Sequence, residues 1–319
     1  MFNDEIPIRI GISSCLLGEK VRFDAGHKKD LYLTNILGKY VEWIPVCPEV
    51  EVGMGVPREA IRLVGKANNP NLVGTKSGRD WTDEMKKFSQ MRNKQLAEMN
   101  LSGFIFKKDS PTCGMERVRV YSQSGSPSKE GIGIFARSFI EQFPLIPVEE
   151  EGRLNDIKIR ENFIERVFAY NRLLNLFSRK FSRGELVRFH TYEKLQLLSH
   201  SEKHYRELGN IVAKAKFYGT SELRERYSKI FMEALKIKTT TKKNANVLFH
   251  ILGYLKNILD KFEKDAIVKI INDYQNELVP LIVPLTLIRH YIEKHNIEYI
   301  KFQTYLNPHP KELMLRNHV

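Results

Sequence analysis

The chain has 319 residues, of which 42% are hydrophobic and 28% are charged, and this composition excludes a protein that is disordered along most of its length. Its 51 Lys and Arg against 38 Asp and Glu give a formal net charge of +13. Three cysteines are too few for a disulfide scaffold, and their odd number is typical of a reducing compartment.

The first half of the sequence alternates short apolar segments with helical patterns. Residues 8–12 (IRIGI), 43–46 (WIPV) and 103–106 (GFIF) each predict a short β-strand. Residues 83–99 begin with acidic side chains and continue with apolar residues near helical spacing, which predicts a helix. Strands separated by helices indicate an α/β domain with a largely parallel sheet, whose functional groups gather in loops beyond the C-terminal ends of the strands.

The second half has a different pattern. From about Asp156 the apolar residues follow helical spacing, as in the pair Phe163 and Val167, and glycines are few. This pattern predicts an all-α domain that packs as a helical bundle. We therefore expect a first domain at residues 1–150 and a second domain at residues 151–319.

The positive charge is concentrated in the second half. Residues 1–150 contain 21 Lys and Arg and 19 Asp and Glu, whereas residues 151–319 contain 30 and 19. Such asymmetry is typical of a protein with a polyanionic partner, and nucleic acid is the first candidate. A helical domain with solvated Lys and Arg side chains explains the charge equally well.

We expect a cytoplasmic protein without a membrane partner. The most apolar stretch, residues 278–288, is interrupted by Pro280 and Pro284 and is too short to span a bilayer. The N-terminus carries Asp4 and Glu5 where a signal peptide has positive charge, and no long apolar core follows them.

All three cysteines lie in the first half, and each follows a predicted strand. Cys15 occurs in SSCLLG, Cys47 in PVCPE and Cys113 in DSPTCG, so we expect them at one edge of the sheet. Free cysteines are often buried as small apolar residues, but these lie beside turn-forming and hydrogen-bonding residues rather than inside the strands. Three thiolates without an obvious fourth ligand suit a zinc or iron–sulfur site with one open position.

These segments also resemble a known family. The combination of ISSCLLGEKVRFDAGHK, PVCPEVEVGMGVPRE and KKDSPTCGMERV closely resembles the TudS-type thiouracil desulfidases. The segments EEEGRLND and RENFIERVFAY, with the helical region after them, resemble the YbgA-like domain that is often fused behind the first. The resemblance covers nearly the whole chain but suggests a chemistry only for the first domain.

The resemblance implies a [4Fe-4S] cluster held by Cys15, Cys47 and Cys113, with one iron that has no protein ligand. Such an iron is thiophilic, so it is suited to bind the sulfur of a thiocarbonyl and to make the ring carbon more electrophilic. The implied reaction is a hydrolase or lyase reaction that converts thiouracil to uracil and hydrosulfide without net redox change.

The reaction needs acid–base groups, because water loses a proton and the ring nitrogen gains one. The resemblance matches Glu49 to the catalytic glutamate of the family and Ser110 to the serine of its S-P-x-C-G segment. Taken alone, Glu49 suits a surface carboxylate at a turn, and Ser110 suits a helix cap.

Four further residues are candidates for contact with the substrate. Asp24 suits base recognition and equally well a turn. Arg22 and Lys107, like the neighbouring Arg58, suit a nucleotide phosphate and equally well surface solvation. Ser14, beside the first cysteine, completes this candidate set.

Two functions of different classes follow from these patterns. The first is a desulfidase that acts on thiouracil as a base, as a nucleotide or within thiolated tRNA, with the basic second domain delivering the substrate or binding nucleic acid. The alternative is an RNA-binding protein whose first domain holds a structural zinc or iron–sulfur site. A thiol-redox protein is a weaker third interpretation, because the sequence has no C-x-x-C motif.

Overall fold

The computed structural model describes three segments of the chain, residues 6–122, 124–178 and 181–318. The chain divides into two compact units, and the boundary along the sequence lies between Asp156 and Ile157. The residues Asp4 and Glu5, on which the expectation of no signal peptide rests, lie outside the described segments. Within those segments, no helix has the length and apolar character needed to cross a membrane.

The first unit contains two four-stranded sheets. Their strands are β1 Arg9–Ser13, β2 Glu42–Val46, β3 Ile61–Lys66, β4 Asn69–Gly74, β5 Leu101–Phe106, β6 Val118–Tyr121, β7 Pro127–Gly131 and β8 Val148–Glu150. The helices of this unit are α1 Leu31–Asn35, α2 Pro48–Glu51, α3 Thr82–Ala97 and α4 Ile134–Gln142. One sheet has the order β2-β1-β5-β8 with every pair parallel, and the other has the mixed order β4-β3-β6-β7.

The parallel sheet confirms the predicted α/β class of the first unit. All six residues of β5 are buried, as expected for a strand that is covered on both faces. Phe104 and Phe106 of β5 stack with ring centroids 4.3 Å apart, and both rings contact Phe135 and Phe139 of α4. Gly11 makes this packing possible, because a Cβ atom there would lie 2.2 Å from the ring of Phe104.

The strand order determines where a site forms. The chain runs from β1 to β2 on one side of the sheet, and β5 lies on the other side of β1. Loops that follow β1 and β5 therefore leave the sheet in different directions and open a crevice, which is the usual ligand position in a parallel sheet. The loops after Ser13, Val46 and Phe106 all emerge at this edge, because the three strands are parallel neighbours.

The mixed sheet does not follow from the sequence patterns. β3 and β4 form an antiparallel hairpin from the pair Ile61 and Gly74 to the pair Lys66 and Asn69. The strand β4 (NPNLVG) contains a proline and two asparagines, which are poor strand formers. Its composition therefore does not predict a β-strand.

The second unit is helical throughout its described residues, which confirms the predicted all-α class. Its helices are α5 Ile157–Phe177, α6 Arg183–His200, α7 Glu202–Ala213, α8 Thr220–Lys236, α9 Thr241–Leu255, α10 Lys261–Gln275, α11 Ile282–Lys294 and α12 Glu298–Lys301. Buried aliphatic side chains of α9, α10 and α11, such as Ile251, Ile267 and Leu285, share one hydrophobic core. Burial of these apolar faces provides most of the stability of such a bundle.

Candidate functional site

The crevice at the end of the parallel sheet is a cavity of about 460 Å³, and all three cysteines line it. Cys15 and Cys113 are buried, Cys47 is half-buried, and none of the three forms a disulfide. The cysteines that the sequence singles out therefore share one cavity, although they are far apart along the chain.

The end of β1 positions Cys15. The strand runs directly into a 3-10 turn at Ser14–Leu17, which ends at Gly18 in the left-handed conformation with φ of 100°. The backbone N–H of Lys107 donates to the Ser13 hydroxyl at 3.0 Å and so ties the end of β5 to the end of β1. The two loops that frame the crevice are thus held at a fixed separation.

The N-terminus of α4 positions Cys113. The backbone N–H of Ile134 donates to the carbonyl of Pro111 at 3.2 Å, and that of Ala136 donates to the carbonyl of Thr112 at 3.1 Å. Gly133 permits this contact, because a Cβ atom there would lie 2.5 Å from the Thr112 carbonyl. These bonds fix the loop before Cys113 and satisfy N–H groups that a helix N-terminus otherwise leaves without partners.

Burial raises the pKa of all three thiols. The pKa of Cys15 rises to about 11, and the pKa values of Cys47 and Cys113 also lie above the ordinary value, with desolvation as the largest cause. Such thiols hold their protons at neutral pH and are weak nucleophiles, so this environment does not favour thiol-redox chemistry. A metal must displace the protons to bind here.

Three residues hold the carboxylate of Glu49, which lies in α2 just after Cys47. Its Oε1 accepts hydrogen bonds from Thr112 Oγ1 at 2.9 Å and from Ser110 Oγ at 3.4 Å. Its Oε2 accepts from Arg58 Nε at 3.1 Å and from a second guanidinium nitrogen of Arg58. Both carboxylate oxygens are engaged, so the carboxylate is held in one orientation.

The sequence does not predict that Arg58 and Thr112 are hydrogen-bond partners of Glu49. The sequence suits Arg58 to a phosphate contact and equally well to surface solvation, but its side chain is 5% exposed and also donates to the carbonyls of Val21 at 3.0 Å and Gly55 at 2.9 Å. Its position just after Pro57, in a segment that the family resemblance covers, is the only signal in the sequence. Nothing local to that segment indicates that it meets Glu49.

Ser110 caps the turn before Cys113 and also lies beside Glu49. Its hydroxyl oxygen accepts from the backbone N–H groups of Thr112 at 3.2 Å and Cys113 at 3.1 Å, which is a capping role. The same hydroxyl lies within reach of Glu49. The turn before Cys113 therefore fixes a hydroxyl beside the carboxylate.

Three of the four substrate candidates line the cavity, namely Ser14, Arg22 and Lys107. The ammonium group of Lys107 is paired with Glu151 at 2.5 Å. Asp24 is exposed, does not line the cavity, and accepts a hydrogen bond from the backbone N–H of Gly26 at 3.0 Å, as a turn residue does. Its nearest cation is Arg22, at 3.6 Å.

The cavity lining is rich in positive charge. Its cationic residues are Arg22, Lys28, Arg58, Lys107 and Lys108, and its acidic residues are Glu49 and Asp109. Since Glu49 is already paired with Arg58, the remaining field favours an anion.

The donor set suits a cluster better than a single ion. Among the described residues, no group of three or more His, Cys, Asp or Glu side chains is arranged to hold one metal ion. The cysteine ligands of an iron–sulfur cluster bind separate irons, so they need not converge on one point. Three cysteines around a cavity of this size fit that requirement, and the positive lining offsets the negative charge of such a cluster.

Two family models match the chain in succession. Residues 10–151 match the family described as 2-thiouracil desulfurase, and residues 194–310 match DUF1722, a family of unknown function.

Individual relatives match one part of the chain each. The uncharacterized protein YbgA of Escherichia coli (strain K12) is 27% identical over 165 residues, which cover 51% of this chain and 98% of YbgA. The uncharacterized protein YbbK of Bacillus subtilis (strain 168) is 29% identical over 152 residues, which cover 46% and 97%. Among solved structures, the [4Fe-4S]-dependent thiouracil desulfidase TudS is 26% identical, with coverage of 48% of this chain and 97% of TudS and a TM-score of 0.40.

Proposed function

We propose that this chain, which joins a domain of the 2-thiouracil desulfurase family to a YbgA-like DUF1722 domain, removes sulfur from thiouracil with a [4Fe-4S] cluster in its first unit. The observation that carries the proposal is that Cys15, Cys47 and Cys113 line the same cavity as Glu49. The cofactor rests on this cysteine set together with the family match. We place the reaction in the cytoplasm, because three free thiols suit a reducing compartment.

The three cysteines would hold the cluster. When bound, the cluster supplies a thiophilic Lewis acid for the sulfur of the substrate. The cavity lining contains no histidine and no fourth cysteine, so the described residues offer no further soft ligand that competes with that sulfur. The polypeptide contributes the thiolates, the desolvated surroundings and the groups that move protons.

Glu49 would act on the water that replaces the sulfur. Its carboxylate is held in one orientation by Arg58 and Thr112, and the water would replace its longest contact, which is with Ser110 Oγ at 3.4 Å. The Ser110 hydroxyl, 3.4 Å from Oε1, would pass a proton between this carboxylate and the substrate ring. The product is uracil, and the sulfur leaves as hydrosulfide.

The cationic lining would hold the phosphate of a nucleotide substrate. Arg22 is the main candidate, since it lines the cavity and its nearest carboxylate, Asp24, lies outside the lining. Lys107 is a less available group because Glu151 neutralises it. Asp24 would contribute indirectly, by its electrostatic contact with Arg22.

An exposed aromatic surface of the second unit supports RNA as the carrier of the thiouracil. We define the aromatic patch as Tyr192, Lys194, Tyr254, Tyr299 and Phe302. The ammonium of Lys194 lies 4.6 Å from the ring centroid of Tyr299 and 5.6 Å from that of Tyr254, and the rings of Tyr192 and Phe302 are 5.9 Å apart. Exposed rings around a cation bind unpaired bases by stacking and are tolerant of sequence.

The first experiment is purification without oxygen, followed by assay of iron, acid-labile sulfide and zinc. We expect about four irons and four sulfides per chain, the composition of one [4Fe-4S] cluster, and release of hydrosulfide from thiouracil. Zinc without sulfide release would instead support an RNA-binding protein with a structural metal. A chain that holds neither metal would overturn both functions.

A second experiment separates catalysis from cluster binding. Glu49→Gln should keep the iron and sulfide content and lower the turnover of thiouracil by about 10² to 10⁴. Glu42→Gln, at an exposed carboxylate of β2 outside the cavity, is the matched control. Full activity of Glu49→Gln would remove this residue from the mechanism.

The RNA proposal has its own test. Replacing both Tyr254 and Tyr299 with Ala should weaken the binding of tRNA by about tenfold or more, since stacking is worth about 1–3 kcal/mol per base. Phe262→Ala is the control, because that ring is 81% exposed and lies outside the aromatic patch. Equal affinity of the double variant and the control would contradict a role for the patch.

A further inference from the structure

The hydroxyl group of Thr112 lies between Glu49 and Ser110, the two side chains that move protons in the proposed reaction. It donates to Glu49 Oε1 at 2.9 Å and lies 3.0 Å from Ser110 Oγ, in a contact where either hydroxyl can be the donor. Thr112 is fully buried and does not line the cavity, so its side chain is placed to touch neither solvent nor substrate. Any role of this hydroxyl in the reaction is therefore exerted through its neighbours.

The direct contact between Glu49 and Ser110 is the weaker connection between these two side chains. Ser110 Oγ lies 3.4 Å from Glu49 Oε1, whereas Thr112 Oγ1 lies 2.9 Å from the carboxylate and 3.0 Å from the Ser110 hydroxyl. The water of the proposed reaction takes the position of the direct contact. The connection that then remains between the carboxylate and Ser110 runs through Thr112.

The other neighbours of these groups offer no comparable route for a proton. Glu49 Oε2 accepts from two nitrogens of Arg58, and a guanidinium group donates hydrogen bonds but keeps its protons. Thr112 Oγ1 also lies 3.7 Å from Cys113 Sγ, which is the longest of its three side-chain contacts. The hydroxyl proton of Thr112 is therefore directed to the carboxylate.

Backbone hydrogen bonds fix both hydroxyl groups. The N–H groups of Thr112 and Cys113 donate to Ser110 Oγ at 3.2 Å and 3.1 Å. The carbonyl of Thr112 accepts from the N–H of Ala136 at 3.1 Å, which ties this turn to α4. Proton transfer needs donor and acceptor held at hydrogen-bond distance, and this turn meets that requirement.

We propose that Thr112 is a positioning residue whose hydroxyl relays a proton from Glu49 to Ser110, an inference that rests on the proposed desulfidase function. The water that attacks the ring carbon loses a proton to Glu49. The O–H groups then rotate, so that Glu49 donates to Thr112, Thr112 donates to Ser110, and Ser110, which lines the cavity, donates to the ring nitrogen. Each hydroxyl gives up one proton and receives one, so both side chains end unchanged.

The relay balances the reaction for thiouracil in its thiolate form. One proton of the water reaches the ring nitrogen through the three side chains, and the other leaves with the sulfur as hydrosulfide. A C–O bond forms and the C–S bond breaks with its electron pair on sulfur, so there is no net redox change. The relay needs no further reactant.

Kinetics of the full chain with its cofactor test the relay. Thr112→Val removes the hydroxyl and should lower kcat for thiouracil by about 10². The KM and the iron content should not change, because Thr112 does not line the cavity. Thr112→Ser restores a hydroxyl and should recover most of the wild-type kcat. Loss of iron in Thr112→Val would show that Thr112 supports the cysteine loop instead, and the relay would be wrong.

Two further variants separate the relay from general effects on the first unit. Thr82→Val is the matched control, because Thr82 is also a buried, hydrogen-bonded threonine of this unit and lies outside the cavity. The ratio of kcat in H₂O to kcat in D₂O should rise in Thr112→Val, since proton transfer becomes the slow step. Arg58→Lys disturbs Glu49 but keeps the three relay groups, so its ratio should equal that of the wild-type chain. Equal ratios in Thr112→Val and Arg58→Lys would reduce Thr112 to a support of Glu49.

Infrared spectra of the full chain, purified without oxygen, test the hydrogen bond without turnover. The carboxylate band of Glu49 is identified as the difference between the wild-type chain and Glu49→Gln. This band should shift in Thr112→Val and stay in place in Thr112→Ser, because only the valine lacks the donor to Oε1. An unshifted band, or wild-type kcat in Thr112→Val, would refute the relay and leave the desulfidase proposal standing. A wild-type chain that releases no hydrosulfide would refute both.

Discussion

The two units bury their reactive groups in opposite ways. In the first unit, desolvation keeps Cys15, Cys47 and Cys113 protonated, so these groups gain charge only when a metal replaces the proton. In the second unit, Arg316 and Glu165 stay charged, because each is the partner of the other. Loss of one of these cysteines should therefore abolish cofactor binding and leave the fold intact, whereas loss of a partner of the buried ion pair in the second unit should destabilise the fold.

The largest expected effect concerns the cofactor. Cys113→Ala should lose nearly all iron and all release of hydrosulfide from thiouracil, because only two cysteines would remain to hold the cluster. The far-ultraviolet circular dichroism should stay unchanged, since the loop at Cys113 is fixed by backbone bonds to α4 rather than by the thiol. Iron content equal to that of the wild-type chain would show that Cys113 is not a ligand.

The next effect concerns the stability of the second unit. Glu165→Gln removes the carboxylate that is hydrogen-bonded to the buried Arg316 and leaves only the more distant Glu161, at 3.7 Å, so it should lower the free energy of unfolding by about 3–5 kcal/mol. For a unit of this size, the melting temperature should fall by roughly 10 °C. Glu202→Gln is the control, because its ion pair with Arg206 is exposed and contributes little. Equal melting temperatures of the two variants would contradict the contrast between the units.

The difference between the units also explains what the sequence predicts and what it does not. The cavity of the first unit follows from local patterns, since each cysteine lies in the loop after a strand and parallel neighbouring strands end at one edge. The buried ion pair of the second unit has no such pattern: Glu165 and Arg316 are 151 residues apart and meet only because the helices pack. The hydrogen-bond partners of Glu49 are predictable only in part. Arg58 and Thr112 lie in segments that the family resemblance covers, but their contact with Glu49 depends on the tertiary structure.

Acid should destabilise the second unit through two half-buried histidines. Burial lowers the pKa values of His190 and His309 to about 4. The unfolded chain takes up protons below its ordinary pKa of about 6.5, so stability is unaffected above that pH and falls progressively between about pH 6.5 and pH 4. Because both rings are only partly shielded, we expect a loss of about 2 kcal/mol for each histidine.

Urea unfolding at pH 7 and pH 5 measures this loss. In His190→Asn, part of the difference between the two pH values should disappear, since Asn has no proton to bind. His250→Asn is the control, because that ring is exposed. A difference between the pH values that is the same in both variants would assign the acid sensitivity to other groups.

The smallest effect concerns Arg58, which touches Glu49 rather than the reacting atoms and is therefore a positioning residue. Arg58→Lys keeps the positive charge but loses the paired donors that fix Glu49 Oε2, so kcat should fall by about tenfold. The KM for thiouracil and the iron content should not change, because neither the cysteines nor the cationic residue Arg22 is altered. Arg62→Lys, in the mixed sheet and outside the cavity, is the matched control. A fall in iron content parallel to kcat would instead make Arg58 a structural support of the loops that carry the cysteines, and the first unit would then depend on a buried ion pair just as the second unit does.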